Sequence, residues 1–467
     1  MTPHVVIVGA GIAGLAAAHA IGAAARVTIL DGAQRIGGKL LASRVGGVTV
    51  DAGAEAMLVR SPEGAELAAA VGLREELVHP ATGSASLVIG GQLRPIPRGT
   101  LMGVPADLDA IRAADVLTQP TLEQLERDLP GPPLGDDVTV GSVIGTRLGR
   151  EVVDRLVDPL LGGVYAGRAD VLSLQATIPA LARALRLRGS VVAAARAAVA
   201  AAPRGDGPVF ATLRAGLGTL PQAVAAASGA DIRLGLTVRE VIRTEHGFQL
   251  LTGPVPATTV LDADAVIVAV PAPKATRMLA GVAPRAAYEL SRIEYASTAL
   301  VTLAYPDTAF PAGSGALVPA SEGFAVKALT YSSQKWGHLA GDNAIVRASI
   351  GRHGDTSALQ ADDDELVSRT RVEIAKITGV DVLPVEHRVT RWGGALPQYA
   401  VGHLDRVRRI RADIEQVPGL EVCGAAYEGV GVPACIRTGQ QAAAGVLAEL
   451  AARESRVAEM GDGHGGR

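Results

Sequence analysis

The sequence predicts an α/β protein with an N-terminal βαβ unit, a second sheet later in the chain and a largely helical insertion between them. Three observations carry this reading. The apolar run Val5-Val6-Ile7-Val8 leads into Gly9-Ala10-Gly11-Ile12-Ala13-Gly14, and after a helix-compatible stretch Val27-Thr28-Ile29-Leu30 ends in Asp31. Residues 107–202 are patterned mainly as helix, broken at Pro130-Gly131-Pro132-Pro133. Residues 297–351 alternate as strands do.

Strand, glycine turn, helix, strand and acid, in that order, are what a Rossmann-like dinucleotide site requires. Gly9 permits the tight turn, Gly11 lets the backbone approach a pyrophosphate, and Gly14 lets the helix pack on the strand. The helix start at Ile12 and Ala13 offers unpaired N–H groups and the positive end of a dipole. Asp31, followed by Gly32, is placed to accept from a ribose diol. A second signature, Arg35-Ile36-Gly37-Gly38-Lys39-Leu40, resembles the Arg-x-Gly-Gly motif of flavoproteins of the glutathione-reductase and monoamine-oxidase type. That resemblance implies FAD, since simple nicotinamide dehydrogenases lack the motif.

At 467 residues, two or three domains are expected. The net charge is −3 and aromatic residues make up 3%, so neither a phosphate-binding field nor base-stacking platforms are at hand, and nucleic acid is disfavoured as a partner. Cys423 and Cys435 are too far apart for a CxxC redox pair, and the nine histidines lack metal-ligand spacing. No metal is expected. The N-terminal apolar run reads as a strand rather than a signal peptide, and the alanine-rich tract 193–202 is too short to span a bilayer, so the expectation is a cytoplasmic protein. Arg183, Arg186, Arg188 and Arg196 lie among alanines and leucines in 180–196, which reads as a helix with one solvated face; any membrane contact is at most peripheral.

Along the chain, residues 45–56 read as a strand leading to a glycine turn, and Ser61-Pro62-Glu63 opens a helix running to about Val71. Leu87 to Ile96 reads as a hairpin turning on Gly90-Gly91. Strand signals at 232–234, 238–242, 248–251 and 263–270 mark a return to the first domain. Asp362 to Lys376 and Pro433 to about Ala452 read as helices, with a short strand at Leu420 to Gly424. The resulting division gives 1–82, 212–283 and 385–453 to the cofactor domain, 83–98 and 284–384 to a substrate domain, and 99–211 to a helical domain, with 454–467 a disordered tail. Gly424-Ala425-Ala426-Tyr427-Glu428-Gly429-Val430-Gly431-Val432-Pro433 opens the last helix. Its N-terminus would stabilise negative charge on the N1–C2=O edge of a reduced flavin.

Asp51-Ala52-Gly53-Ala54-Glu55, the segment Asp158 to Gly167, Thr330 to Trp336 and Gly429 to Ile436 are similar to the porphyrinogen oxidases of haem biosynthesis, over nearly the whole chain. That resemblance implies an FAD domain, a substrate domain with a mixed sheet and a helical domain over a substrate tunnel. As implied FAD contacts it carries over Gly9, Gly11, Ile12, Ala13, Gly14, Asp31, Gly32, Arg35, Gly38, Lys39, Leu40, Gly53, Ala54, Glu55 and Val238. Trp392, Gly424, Ala425, Val430, Gly431, Val432 and Ile436 complete that set. Two departures stand out. The ribose acid is Asp31 where related flavoproteins more often have glutamate, and Glu55 stands about where eukaryotic members place an arginine.

The implied chemistry is oxidation of a porphyrinogen, with hydride passing from a meso carbon to flavin N5 and dioxygen as final acceptor. It asks for no catalytic acid or base, and none is assigned. Substrate carboxylates call for cations near an apolar tunnel, with Arg60, Arg94 and Arg98 as candidates and Leu160, Leu161, Val164 and Tyr165 as candidate walls. Similarity to the soluble bacterial branch favours coproporphyrinogen III over protoporphyrinogen IX, and a ferrochelatase is a candidate recipient of the product. An FAD amine oxidase, whose aromatic cage would have to draw on Trp392 and Tyr399, and a non-catalytic flavin or porphyrin carrier are the rival readings.

Overall fold

The structure is a computed structural model that describes residues 2–128, 130–131, 135–202 and 207–462. Five distant segments build one parallel sheet in the order Asp231–Leu234, Arg26–Asp31, His4–Val8, Ala265–Val268, Leu420–Val422. Val5 sits between Val27 and Ala265 in register. His4–Val8 and Ala265–Val268 are buried throughout, which is why they read as unbroken apolar runs. Helix Ile12–Ile21 is rich in alanine and packs closely on the C-terminal helix Val432–Asp462. A methyl group on Gly439 would collide with Ala13 O, so this crossing depends on a missing side chain.

The second sheet has seven strands in the order Glu386–Pro397, Tyr295–Pro306, Asn343–Ile350, Val326–Tyr331, Gly315–Leu317, Ser86–Ile89, Gln92–Pro95. It is mixed, because Gly315–Leu317 pairs in parallel with Ser86–Ile89 while the other neighbours run antiparallel. Helix Asp363–Thr378 covers one face. The helices between Leu108 and Ala201 form a separate apolar core.

Several expectations change. Glu386–Pro397 belongs to the seven-stranded sheet, not to the cofactor domain. Its paired glycines, Gly393 and Gly394, hid a strand that pairs with Tyr295–Pro306 through a register shift. Residues 42–51 form a hairpin, Ala42–Val45 with Val48–Asp51, turned by Gly46 and Gly47 at φ +60° and +82°. The stretch 180–196 is two helices, Pro179–Arg188 and Val191–Ala201, parted at Gly189 (φ +74°) and restarted by Ser190, whose hydroxyl accepts from Ala193 N. The last helix runs to Asp462, so 454–462 are helical rather than disordered; 463–467 lie outside the described residues. Arg453 anchors that extension through Glu449, one turn earlier, and through the carbonyls of Asp264 and Pro418.

Lys327 is buried on Val326–Tyr331, and its Nζ donates to Gly351 O at 2.6 Å. Burial, reinforced by Arg352, pushes its amine down from 10.5 to about 7. Between those values the unfolded chain binds more protons than the folded one, so this group makes stability rise with pH across the window. Lys327→Met should flatten that rise in denaturant titrations taken across it. A variant whose stability climbs like the wild type would remove Lys327 as the cause.

Candidate functional site

The glycines of the first turn divide by what a side chain would meet. At Gly9 (φ +115°) a methyl would lie 2.6 Å from Ala269 O, and at Gly14 it would collide with Gly9 O. Both serve packing, of turn on strand and helix on turn. At Gly11 a methyl would meet nothing within 4 Å, and at Gly38 (φ +57°) only the Gly11 Cα at 3.3 Å. These two face open space together, because Gly37 N donates to Ala10 O at 2.7 Å and joins the second glycine signature to the first. Helix Ile12–Ile21 starts here with no side-chain cap and no acid in its first turn. Its N–H groups and dipole are therefore available to an anion, which fits a pyrophosphate.

Asp31 ends its strand beside this turn. Oδ2 accepts from Ala10 N and Oδ1 from Ala33 N, both at 2.8 Å. The carboxylate thus braces the turn and keeps further acceptor capacity for a hydroxyl. A methyl on Gly32 would come 2.9 Å from Thr237 Oγ1, which places that glycine next to Val238, buried in the core behind the parallel sheet.

Arg35 folds back on Ile36 O and Gly38 O at 3.2 and 2.7 Å and lies 5.7 Å from the Trp392 ring centre. Trp392 Nε1 donates to Ala52 O at 2.8 Å. Lys39 O accepts from Ala54 N at 3.1 Å and leaves no room for a side chain at Gly53. Burial lowers the Lys39 amine from its ordinary value, and Leu40 is core. Arg35, Lys39, Gly53, Ala54 and Trp392 are thus brought together, although Trp392 comes from the seven-stranded sheet.

The Glu55 carboxylate, expected at the cofactor, is committed elsewhere. It pairs with Arg347, accepts from Lys335 Nζ at 3.0 Å and from Trp336 Nε1 at 2.5 Å. Arg347 also donates to Gly53 O at 2.8 Å. Burial pushes Arg347 down to about 10 and Lys335 to about 8. Nearby Asp51 is pushed up to about 6 by burial, opposed by amide donors Leu217 and Gly218 at 3.0 Å. An acidic residue one step past a glycine loop suggests a ligand contact; its long-range side-chain partners are what sequence spacing cannot show.

Beside the start of helix Ile12–Ile21, Gly424 (φ +118°) has only Ala13 Cβ near its absent side chain, at 4.0 Å, and its N donates to Thr438 Oγ1. Gly431 is exposed, Val430 packs against the helical core, and Val432 and Ile436 are buried beneath the parallel sheet. In sequence Tyr399 has a role only as a wall of an amine cage. It is buried instead, stacked on His403 at 3.8 Å between ring centres, and its hydroxyl donates to Ala425 O and accepts from Gly429 N, both at 2.7 Å. A lone tyrosine carries no motif, so this role was invisible in sequence.

The candidate substrate residues do not converge. Arg60 and Arg98 are exposed, and Arg94 on an edge strand pairs with Asp115 at 3.0 Å. Leu161 is fully buried in the helical core rather than on a wall, Leu160 is half-buried and Val164 is 42% exposed. Tyr165 lies 5.5 Å from Tyr399, centre to centre. Among the described helices none is long and apolar enough to cross a membrane.

The family model for flavin-containing amine oxidoreductases matches residues 12–447. A protein of Mycobacterium bovis named coproporphyrinogen III oxidase is 39% identical, over 98% of this chain and 100% of its own length. A Bacillus subtilis protein of the same name is 30% identical, over 96% and 98%. A solved structure from Exiguobacterium, provisionally named a protoporphyrinogen oxidase, superposes with a TM-score of 0.85 at 31% identity, covering 96% of this chain and 99% of that one. Cyclohexylamine oxidase from Brevibacterium oxydans shares the fold, with a TM-score of 0.71 at 19% identity over 96% of this chain and 100% of its own.

Glu55→Ala would leave Arg347 and Lys335 buried without their carboxylate, at a cost of about 3–5 kcal/mol. Glu55→Gln, which keeps an acceptor, should cost less. Equilibrium urea unfolding measures both, and a Glu55→Ala protein within about 1 kcal/mol of wild type would show that the cluster contributes little.

Proposed function

Because the chain belongs to the flavin-containing amine oxidoreductase family, and within it to the porphyrinogen oxidases, we propose that it oxidises coproporphyrinogen III to coproporphyrin III. Its cofactor is FAD. The observation that carries the substrate is the 39% identity to the mycobacterial coproporphyrinogen III oxidase across both whole chains. Six electrons leave in three rounds, and three dioxygen molecules become three hydrogen peroxide molecules. The porphyrin product would pass to an enzyme of the ferrochelatase class.

Bound FAD supplies a hydride acceptor that dioxygen regenerates. The chain's own part is to bind, orient and shield. In this reading Gly11, Ile12, Ala13 and Gly38 hold the pyrophosphate, with Gly9 and Gly14 fixing the turn that presents them. Asp31, with Gly32 and Val238 alongside, takes the ribose end. Arg35, Lys39, Leu40, Gly53, Ala54 and Trp392 wall the middle. Gly424, Ala425, Val430, Gly431, Val432 and Ile436 hold the ring end, where the N-terminus of Val432–Asp462 offsets negative charge gained on reduction.

Protoporphyrinogen IX is the second substrate reading, favoured by the Exiguobacterium likeness. Amine oxidation has less support, since Tyr399 is buried with its hydroxyl already committed and cannot wall an open cage.

Two measurements test this. Turnover of both reduced porphyrins, with peroxide detection, should show preference for coproporphyrinogen III; preference for protoporphyrinogen IX would reverse the assignment. Separately, Gly11→Val should leave the apoprotein's thermal midpoint unchanged yet weaken FAD binding about 5- to 150-fold, the equivalent of 1–3 kcal/mol of overpacking. Gly14→Val should lower the midpoint itself. If Gly11→Val binds FAD as tightly as wild type, the open face of that glycine is not the cofactor's.

A further inference from the structure

The turn from Ala425 to Gly429 is spaced so that the Gly429 N–H could close an ordinary five-residue turn on Ala425 O. It does not close directly. The Tyr399 hydroxyl is inserted between the two groups, accepting from Gly429 N and donating to Ala425 O at 2.7 Å each. One phenol therefore fixes the width of the turn that delivers Val430, Gly431 and the start of helix Val432–Asp462. Gly429, at φ +133°, is the point where the backbone swings from that turn toward the helix.

Tyr399 and the residues beside it are held by four contacts. His403 stacks on its ring at 14° between planes, and burial pushes the imidazole down to about 4, so the stack is neutral across the physiological range. Ser173 N donates to Tyr399 O at 2.7 Å, and neighbouring Gln398 Nε2 donates to Tyr165 O at 2.9 Å. Asp137 accepts from Gly402 N at 2.7 Å. The helical region, including the helix Asp158–Tyr165, thus grips residues 398–402 on one side while the Tyr399 hydroxyl grips the turn on the other.

We infer that Tyr399 is a positioning residue that sets the flavin-facing turn 425–432 and couples it to the helix carrying Tyr165. The inference rests on the reading that this turn holds the ring end of FAD. Losing the hydroxyl leaves Ala425 O and Gly429 N, both half-buried, without this partner and lets the helix N-terminus drift from the charge it offsets.

The test is Tyr399→Phe in the FAD-loaded full chain. Expected are retained FAD, a midpoint potential shifted to more negative values, and flavin reduction by coproporphyrinogen slowed about 5–10-fold, the equivalent of one lost hydrogen bond, at little change in KM. The Gly429 amide should also exchange its hydrogen faster. If Tyr399→Phe does not fold, Tyr399→3-fluorotyrosine keeps the shape while weakening the oxygen as an acceptor, and the same readouts should move in the same direction. Wild-type potential, spectrum and exchange in the folded variant would overturn the inference. A wild-type protein that binds FAD but oxidises neither porphyrinogen would sink the functional reading alone, and the potential and the exchange would still decide the role of Tyr399.

Discussion

The buried carboxylate of Glu55 is the tie on which the rest of the site depends. It receives Arg347 from the seven-stranded sheet, Lys335 from the short helix Ser332–Lys335 that follows a strand of that sheet, and the indole of Trp336, while Arg347 reaches on to Gly53 O. Through these bonds the segment that follows the hairpin 42–51 is fixed to the second sheet. Trp392, from the edge of that sheet, closes the same joint by donating to Ala52 O. The wall of Arg35, Lys39 and Gly53 can stand in one place only because both sheets hold it. A buried charge cluster of this kind is costly to open, so it locks geometry more than it adds net stability.

The site proper is made largely of backbone. Gly11, Gly38, Gly424 and Gly431 present main chain to open space, while Gly9, Gly14 and Gly53 are glycines because neighbouring carbonyls or side chains leave them no volume. The same residue type thus does two opposite jobs within a few positions of one turn. A catalytic side chain is not needed for either, in keeping with chemistry carried by a cofactor.

The first βαβ unit was legible because each of its requirements is local: two buried runs, a glycine turn and an acid within 31 residues. The hairpin at Gly90-Gly91 and the helix Asp363–Thr378 were legible for the same reason. What sequence could not show were partnerships across hundreds of positions. Glu55 meets Arg347 at a separation of 292, and Trp392 meets Ala52 at 340. The strand carrying Trp392 also hides behind two glycines, so its pairing with Tyr295–Pro306 is not legible in sequence. Only loop position marks Arg60, Arg94 and Arg98, and that signal does not say which arginines converge.

The order of strands in the parallel sheet has a consequence for synthesis. His4–Val8 and Arg26–Asp31 are made well before Ala265–Val268 and Leu420–Val422 complete their sheet, and the helix that covers it, Val432–Asp462, follows those strands. The seven-stranded sheet waits in the same way for Glu386–Pro397. Each sheet must therefore wait for strands made hundreds of residues after its first ones. Apolar strands lack their partners during that interval, which lengthens the time in which the nascent chain is open to aggregation.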